Sequence, residues 1–269
     1  MAENTIVRVA LYAGGIYLSL NLFAWLFSEK LIFAPQTPGY THLPRELKIL
    51  SGNGEKINAV YLENPDAVYT ILFSHGNAED LGNVVPFMQQ FHVLGYSVLM
   101  YDYRGYGTSE GRPSVRKTYQ DIDAAYRWLV EEKGIEPKTI ISQGRSVGGG
   151  PAAWLAANRE VGGLVLESTF VSAFRVRTVV PLLPWDRFNN LRHIRQISCP
   201  VLVVHGREDT VLPFWHGKKL YDAAPGKKAH LWIDDAEHND YAYVAGNRYF
   251  ESFQSFIGLV GQDQPESLP

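Results

Sequence analysis

The chain has 269 residues and one cysteine, Cys199, so it cannot close an intrachain disulfide. It has no glycine-rich loop of the nucleotide-phosphate type. Its eight histidines are scattered, with no cysteine–histidine spacing that would hold a metal. Basic charge is not in surplus: 25 Lys and Arg against 28 Asp and Glu leave a net charge of −3, which argues against a nucleic-acid partner. Internal repeats and low-complexity blocks are absent, apart from a short polar tail at 261–269. These absences leave chemistry that needs no cofactor. With 46% hydrophobic residues, the chain is long enough for one well-buried core and short for two. Cys199 precedes the apolar run Val201–Val204 and reads as a buried structural thiol.

Charge is also missing locally. From Val9 to Phe27 there are 19 residues, VALYAGGIYLSLNLFAWLF, with none charged. That length spans a hydrocarbon core as a helix, and Trp25 suits an interface. Residues 1–30 are therefore read as a single-pass membrane anchor. The alternatives are a cleaved signal peptide, which would rest on Arg8 alone and has no A-x-A-like site, and a buried first helix. Arg8 on one flank against Lys30, Arg45 and Lys48 on the other leans towards a cytoplasmic domain. Three prolines between Phe33 and Pro44 mark 31–45 as a linker, and 46–260 as the domain.

Two strand-like runs, Glu46–Leu50 and Lys56–Glu63, flank the hairpin signal Ser51-Gly-Asn-Gly54. Beyond them the alternation stops. Short runs rich in Val, Ile and Leu recur at Val68–Phe73, Ser97–Met100, Thr139–Ile141, Leu164–Leu166, Val201–Val204 and His230–Ile233, the pattern of strands buried on both faces. Helical periodicity lies between them at Val115–Lys133, Pro151–Asn158 and Trp215–Ala223, and again at Tyr241–Leu259. Strand–helix alternation predicts a mostly parallel sheet with helices on both faces, and a site at the carboxyl ends of its strands.

The reactive residues fall at those ends. Gly144-Arg-Ser146-Val-Gly148 follows a strand and opens a helix, the context in which a serine is presented on a tight turn as a nucleophile. A serine hydroxyl needs a base. His238 lies after the last strand and before the terminal helix, whereas His75 precedes the serine and His205 reads as a packing or supporting residue. The acid that holds the imidazole is expected at Asp209, in the loop after Val201–Val204 and 29 residues before His238. Glu167, ending its own strand, is the alternative carboxylate. The oxyanion hole is expected from the N–H of Val147 and that of Asn77, with Gly76 allowing the backbone turn. The stretch 169–198 is expected as a small lid. Its apolar Val179–Trp185 could line an acyl pocket, touch the bilayer or simply pack over the sheet.

FSHGNAEDLG, YDYRGYGTSEGRPS, DIDAAYRWL, GRSVGG, PVLVVHGREDTV and AEHND together resemble the α/β-hydrolase superfamily, in its branch of ABHD-type membrane-associated serine hydrolases that includes protein depalmitoylases. The likeness runs from about Leu31 to Leu259. It implies an α/β-hydrolase fold, Ser146, Asp209 and His238 as nucleophile, acid and base, and membrane attachment. Where palmitoylated depalmitoylases carry an N-terminal cysteine cluster, this chain has the apolar stretch. The expected activity is hydrolysis of acyl esters or thioesters through an acyl-enzyme. The substrate would be a small or lipid-like acyl ester, or an acylated protein. A peptidase acting on small peptides and a non-catalytic scaffold are the alternatives.

Overall fold

The computed structural model describes residues 2–52 and 54–262, with side chains from residue 5. Asn53 of the hairpin turn and residues 263–269 of the polar tail lie outside the described residues. Among the described residues, eight strands form one sheet in the order β1-β2-β4-β3-β5-β6-β7-β8. β1 (Glu46–Ser51) pairs antiparallel with β2 (Glu55–Leu62), which pairs antiparallel with β4 (Ser97–Tyr101). The remaining pairings, through β3 (Thr70–Ser74), β5 (Ile140–Arg145), β6 (Gly163–Glu167), β7 (Val201–Gly206) and β8 (Lys228–Ile233), are all parallel. This is the α/β-hydrolase fold.

The burial pattern explains the sequence pattern. Every residue of β3, β4, β6 and β7 is buried, because helices cover both sheet faces. The edge strands β1 and β8 are only partly buried, and their sequences carry lysines. One core layer includes Leu72, Leu99, Leu164 and Val203, and the other Ile71, Val98, Val165 and Leu202, as the two-residue period requires.

The described residues form eight α-helices: α1 (Ala2–Ile32), whose C-terminal part meets the domain, and, around the sheet, α2 (Leu81–Val93), α3 (Val115–Arg127), α4 (Gly149–Asn158), α5 (Asn190–Ile194), α6 (Trp215–Ala223), α7 (Tyr241–Ala245) and α8 (Asn247–Gly261). Helix α2 was not expected. Pro86 inside it obscures the pattern, but a reciprocal Asp80/Asn83 capping box starts it. The predicted helix Val115–Lys133 ends in a π-helical turn, Trp128–Glu132. The predicted Tyr241–Leu259 is broken into α7 and α8 at Gly246, whose φ is 55°.

The expected linker, 31–45, is bound down. Helix α1 runs on to Ile32, and Phe33 and Tyr40 are buried. Asp102, directly after β4, accepts hydrogen bonds from the Tyr40 hydroxyl and the Leu81 amide, which joins this segment to the start of α2. The expected lid, 169–198, is mostly irregular, with one short 3-10 turn, Phe174–Val176, and α5. Cys199 is half-buried rather than buried, and packs at the edge of the core.

Candidate active site

Ser146 follows β5 with φ of 54°, a left-handed backbone that lifts its hydroxyl above the sheet. The two glycines of the pentapeptide are there for close approach. A Cβ on Gly144 would lie 2.2 Å from the Gly148 carbonyl oxygen, and one on Gly148 would lie 2.1 Å from that of Ser74. Strand β5, strand β3 and the helix behind the serine therefore meet backbone to backbone.

His238, in the loop between β8 and α7, places Nε2 3.1 Å from Ser146 Oγ and Nδ1 2.8 Å from Asp209 Oδ2. Asp209 is buried in the loop after β7. Its other oxygen accepts the amides of Val211, at 3.0 Å, and Leu212, at 2.6 Å. Burial pushes this carboxyl up, but His205, His238 and the Leu212 amide outweigh it and hold the group well below the usual carboxylate range. His205 lies 3.4 Å from Asp209 and hydrogen-bonds the Leu212 carbonyl at 2.7 Å, so it braces the acid's loop.

Glu167 does not meet His238. It is fully buried beneath the site, where it accepts hydrogen bonds from Gln143, Tyr241 and Tyr249. Its burial pushes its pKa up. It ties β5 and β6 to the two C-terminal helices, and the reading of Glu167 as alternative acid fails on geometry.

The β3–α2 loop faces the serine. Its amides are differently engaged. Gly76 donates to Glu79 Oε2 at 2.8 Å, and Ala78 to the Asn77 side chain at 3.1 Å. The Asn77 amide has no partner among the described residues. The turn is made by Ala78, with φ of 57°, and not by Gly76 as expected. Gly76 is instead where the Glu79 carboxylate packs against the backbone, since a Cβ would lie 2.7 Å from it. Val147 is buried directly after Ser146.

A cavity of about 710 Å³ opens at Ser146 and His238, within the range that holds small-molecule ligands. One wall is the lid, through Phe170, Phe174 and Val176. The opposite wall is α1, through Phe23, Ala24, Ser28, Leu31 and Ile32. The helix lays a face of small residues on the domain: Ala24 is half-buried and Ser28 buried, while Trp25 and Leu26 stay exposed. Its end is fastened to the β3–α2 loop. Asn77 Nδ2 donates to the Ile32 carbonyl at 2.7 Å, and Asn77 Oδ1 accepts from the Ala34 amide at 2.9 Å and the Tyr106 hydroxyl at 2.6 Å. Sequence reasoning missed this wall. The available signal was Ala24 and Ser28, the two small residues of the stretch Leu20 to Phe33, four apart on one helical face. It also missed Glu79, the cavity's carboxylate, which is paired with Arg145.

The family model described as "Serine aminopeptidase, S33" matches residues 65–188. The chain is 39% identical over 199 residues to the α/β-hydrolase domain-containing protein aho-3 of Caenorhabditis elegans, covering 72% of this chain and 59% of that protein. It is 36% identical over 215 residues to α/β-hydrolase domain-containing protein 17B of Xenopus tropicalis, covering 77% and 73%. Among solved structures, the Pyrococcus furiosus esterase Pf2001 superposes with a TM-score of 0.70 at 20% identity, over 84% of this chain and 98% of that one. The match thus spans about three-fifths of aho-3 and nearly three-quarters of 17B, and the chain belongs to the 17-type α/β-hydrolase domain-containing proteins.

Proposed function

We propose that the protein is a serine hydrolase that cleaves acyl ester or thioester bonds through an acyl-enzyme. The observation that carries this reading is the hydrogen-bonded series Ser146–His238–Asp209 at the floor of a largely apolar cavity. Ser146 Oγ attacks the acyl carbonyl as His238 Nε2 takes its proton, and the Asp209 carboxylate stabilises the imidazolium formed. The amides of Asn77 and Val147 receive the developing oxyanion. His238 then returns the proton to the leaving alcohol or thiol. Water activated by the same histidine releases the acid. Nothing in this sequence of steps calls for a cofactor.

Helix α1 is long and apolar enough, from Thr5 to Ile32, to cross a membrane by length and composition. We read it as a single-pass anchor that places the cavity at a bilayer. An acyl chain of a lipid or of an acylated protein would then lie between α1 and the lid. The aminopeptidase alternative needs a free carboxylate to receive a substrate's amino terminus. Glu79 is the cavity's carboxylate, but it is occupied by Arg145 and the Gly76 amide, which favours the ester reading.

The test is Ser146→Ala in the full chain. We expect complete loss of fluorophosphonate labelling and of p-nitrophenyl ester hydrolysis, with the circular-dichroism spectrum unchanged. Substantial turnover in the purified variant would falsify the assignment.

A further inference from the structure

We propose that the tip of the lid, Val179-Val-Pro-Leu182, seats in the surface of an anionic lipid bilayer beside α1, as a second membrane contact next to the cavity mouth. This rests on the reading of α1 as a membrane anchor.

Four consecutive apolar residues form the tip, and none is buried. Val179 is 73% exposed, Val180 59% and Leu182 60%. A contiguous apolar loop left in water marks a surface that meets something apolar. The position of the tip relative to α1 identifies what it meets. Arg187, five residues past the tip on its return to the domain, donates to Ser28 of α1 at 3.2 Å, and Phe188 packs edge-on against Phe33. Ser28 is the residue between the uncharged run and the first charges that follow it, Glu29 and Lys30. The base of the lid is therefore level with the polar boundary of the span, where headgroups lie. Phe23 and Ala24, which line the cavity, fall on the apolar side of that boundary.

Charge selects the kind of surface. The chain as a whole carries −3, yet between 169 and 190 there are three arginines and one acid. That acid, Asp186, is taken up by the Ser172 hydroxyl and the Phe174 amide. Arg175, Arg177 and Arg187 have no carboxylate partner among the described residues. Arg175 bonds the carbonyls of Thr178 and Val179 at the root of the tip and lies over the Trp215 ring, and Arg187 lies over Trp185. Lys30 is exposed at the same level of α1. Apolar residues ringed by unneutralised cations beside a membrane span fit an anionic leaflet, with the stems along the apolar surface and the heads among the phosphates. Each cation strengthens attachment by about fivefold. Each buried valine or leucine contributes at least about tenfold.

The experiment uses the full chain reconstituted in vesicles of phosphatidylcholine, alone or mixed with phosphatidylglycerol. A polarity-sensitive fluorophore is placed by Leu182→Cys in a Cys199→Ser background. The expected result is a blue-shifted emission, quenched by nitroxide-labelled lipid, that is stronger in the mixed vesicles. A label that stays in water in both compositions, while the chain floats with the vesicles, overturns the proposal and leaves the anchor standing. A chain that does not float overturns both. This readout needs no turnover, so it stands apart from the catalytic assignment. In a second arm, Val179→Asp with Leu182→Asp should leave hydrolysis of a short soluble ester unchanged and lower hydrolysis of a long-chain ester held in the mixed vesicles about tenfold. Equal activity of variant and parent on the vesicle-borne ester would overturn the proposal.

Discussion

Asp209 and Glu167 end or follow neighbouring strands, and both are buried carboxylates, but their partners differ in kind. Asp209 faces two imidazoles and two backbone amides, while Glu167 faces an amide and two phenols. Asp209→Asn should therefore depress kcat far more than KM, because the charge matters most once His238 is cationic. The same change in a serine protease costs about four orders of magnitude. Glu167→Gln should leave kcat near that of the parent and lower stability by about 1–3 kcal/mol, since an amide nitrogen then confronts hydroxyl donors. Steady-state kinetics and urea midpoints on the two variants check both halves. His216 sets a pH dependence. Burial, with His205 and Arg175 nearby, pushes its pKa down to about 4, and its Nδ1 accepts the Val171 amide. The unfolded chain protonates this ring near pH 6.5 and the folded chain does not, so stability falls as pH drops from about 6.5 to about 4 and levels off below. The loss is on the order of 3 kcal/mol at most. His216→Asn, which keeps an acceptor for Val171, should flatten that part of the stability profile measured by denaturant titration at successive pH values.

At the scale of elements, the turn between β5 and α4 and the loop between β3 and α2 act as one unit, since Gly148 rests on the carbonyls of Ser74 and His75. Both neighbours are backbone, so neither can swing aside for a new methyl group. Gly148→Ala should cost about 3 kcal/mol and distort the β3–α2 loop, whereas Gly15→Ala, with open space around it, should be silent. Denaturation midpoints of the two variants discriminate them. The same loop is pinned from the other side by Asn77, which caps the end of α1 with its side chain while its own amide, the proposed oxyanion donor, has no partner among the described residues. Asn77→Ala should lower kcat while leaving KM within a few-fold, because the donor is displaced and the cavity walls remain. A rise in KM at unchanged kcat would count against the oxyanion role of this loop.

For the whole molecule, the consequence is that α1, the helix proposed as anchor, is also a wall of the cavity. Residues 5–20 make no burial with the domain, and the contact begins near Asn21. Removing residues 1–20 should therefore release the protein from membranes and keep hydrolysis of a short soluble ester. Removing residues 1–32 should abolish it, because the cut takes Phe23, Ala24 and Ser28 from the cavity and the Ile32 carbonyl from Asn77. Fractionation followed by ester hydrolysis on both truncations tests this. If the longer deletion kept full activity, the helix would have to be a tether alone.

Local pattern was enough to define most of the frame. The unalternating Val, Ile and Leu runs marked the buried strands, because burial on both faces removes the need for a polar side. Gly144-Arg-Ser146-Val-Gly148 could be placed on a strand–turn–helix because its glycines answer to backbone contacts only a few residues and one strand away. The chain order of Ser146, Asp209 and His238 was legible for the same reason, as each follows a recognisable strand. Helix α2 was hidden by Pro86, and the break at Gly246 by a continuous apolar period. What lay wholly beyond the sequence were contacts between distant segments. Glu167 stays open as an alternative to Asp209 until the fold sets it against Tyr241 and Tyr249 and brings Asp209 to His238. The apolar N-terminal stretch reads as a separable anchor until the fold brings Ser28 to Arg187, 159 residues away, and Ile32 to Asn77. Composition and periodicity report how a segment meets solvent or core, and only the packed chain decides which segment meets which.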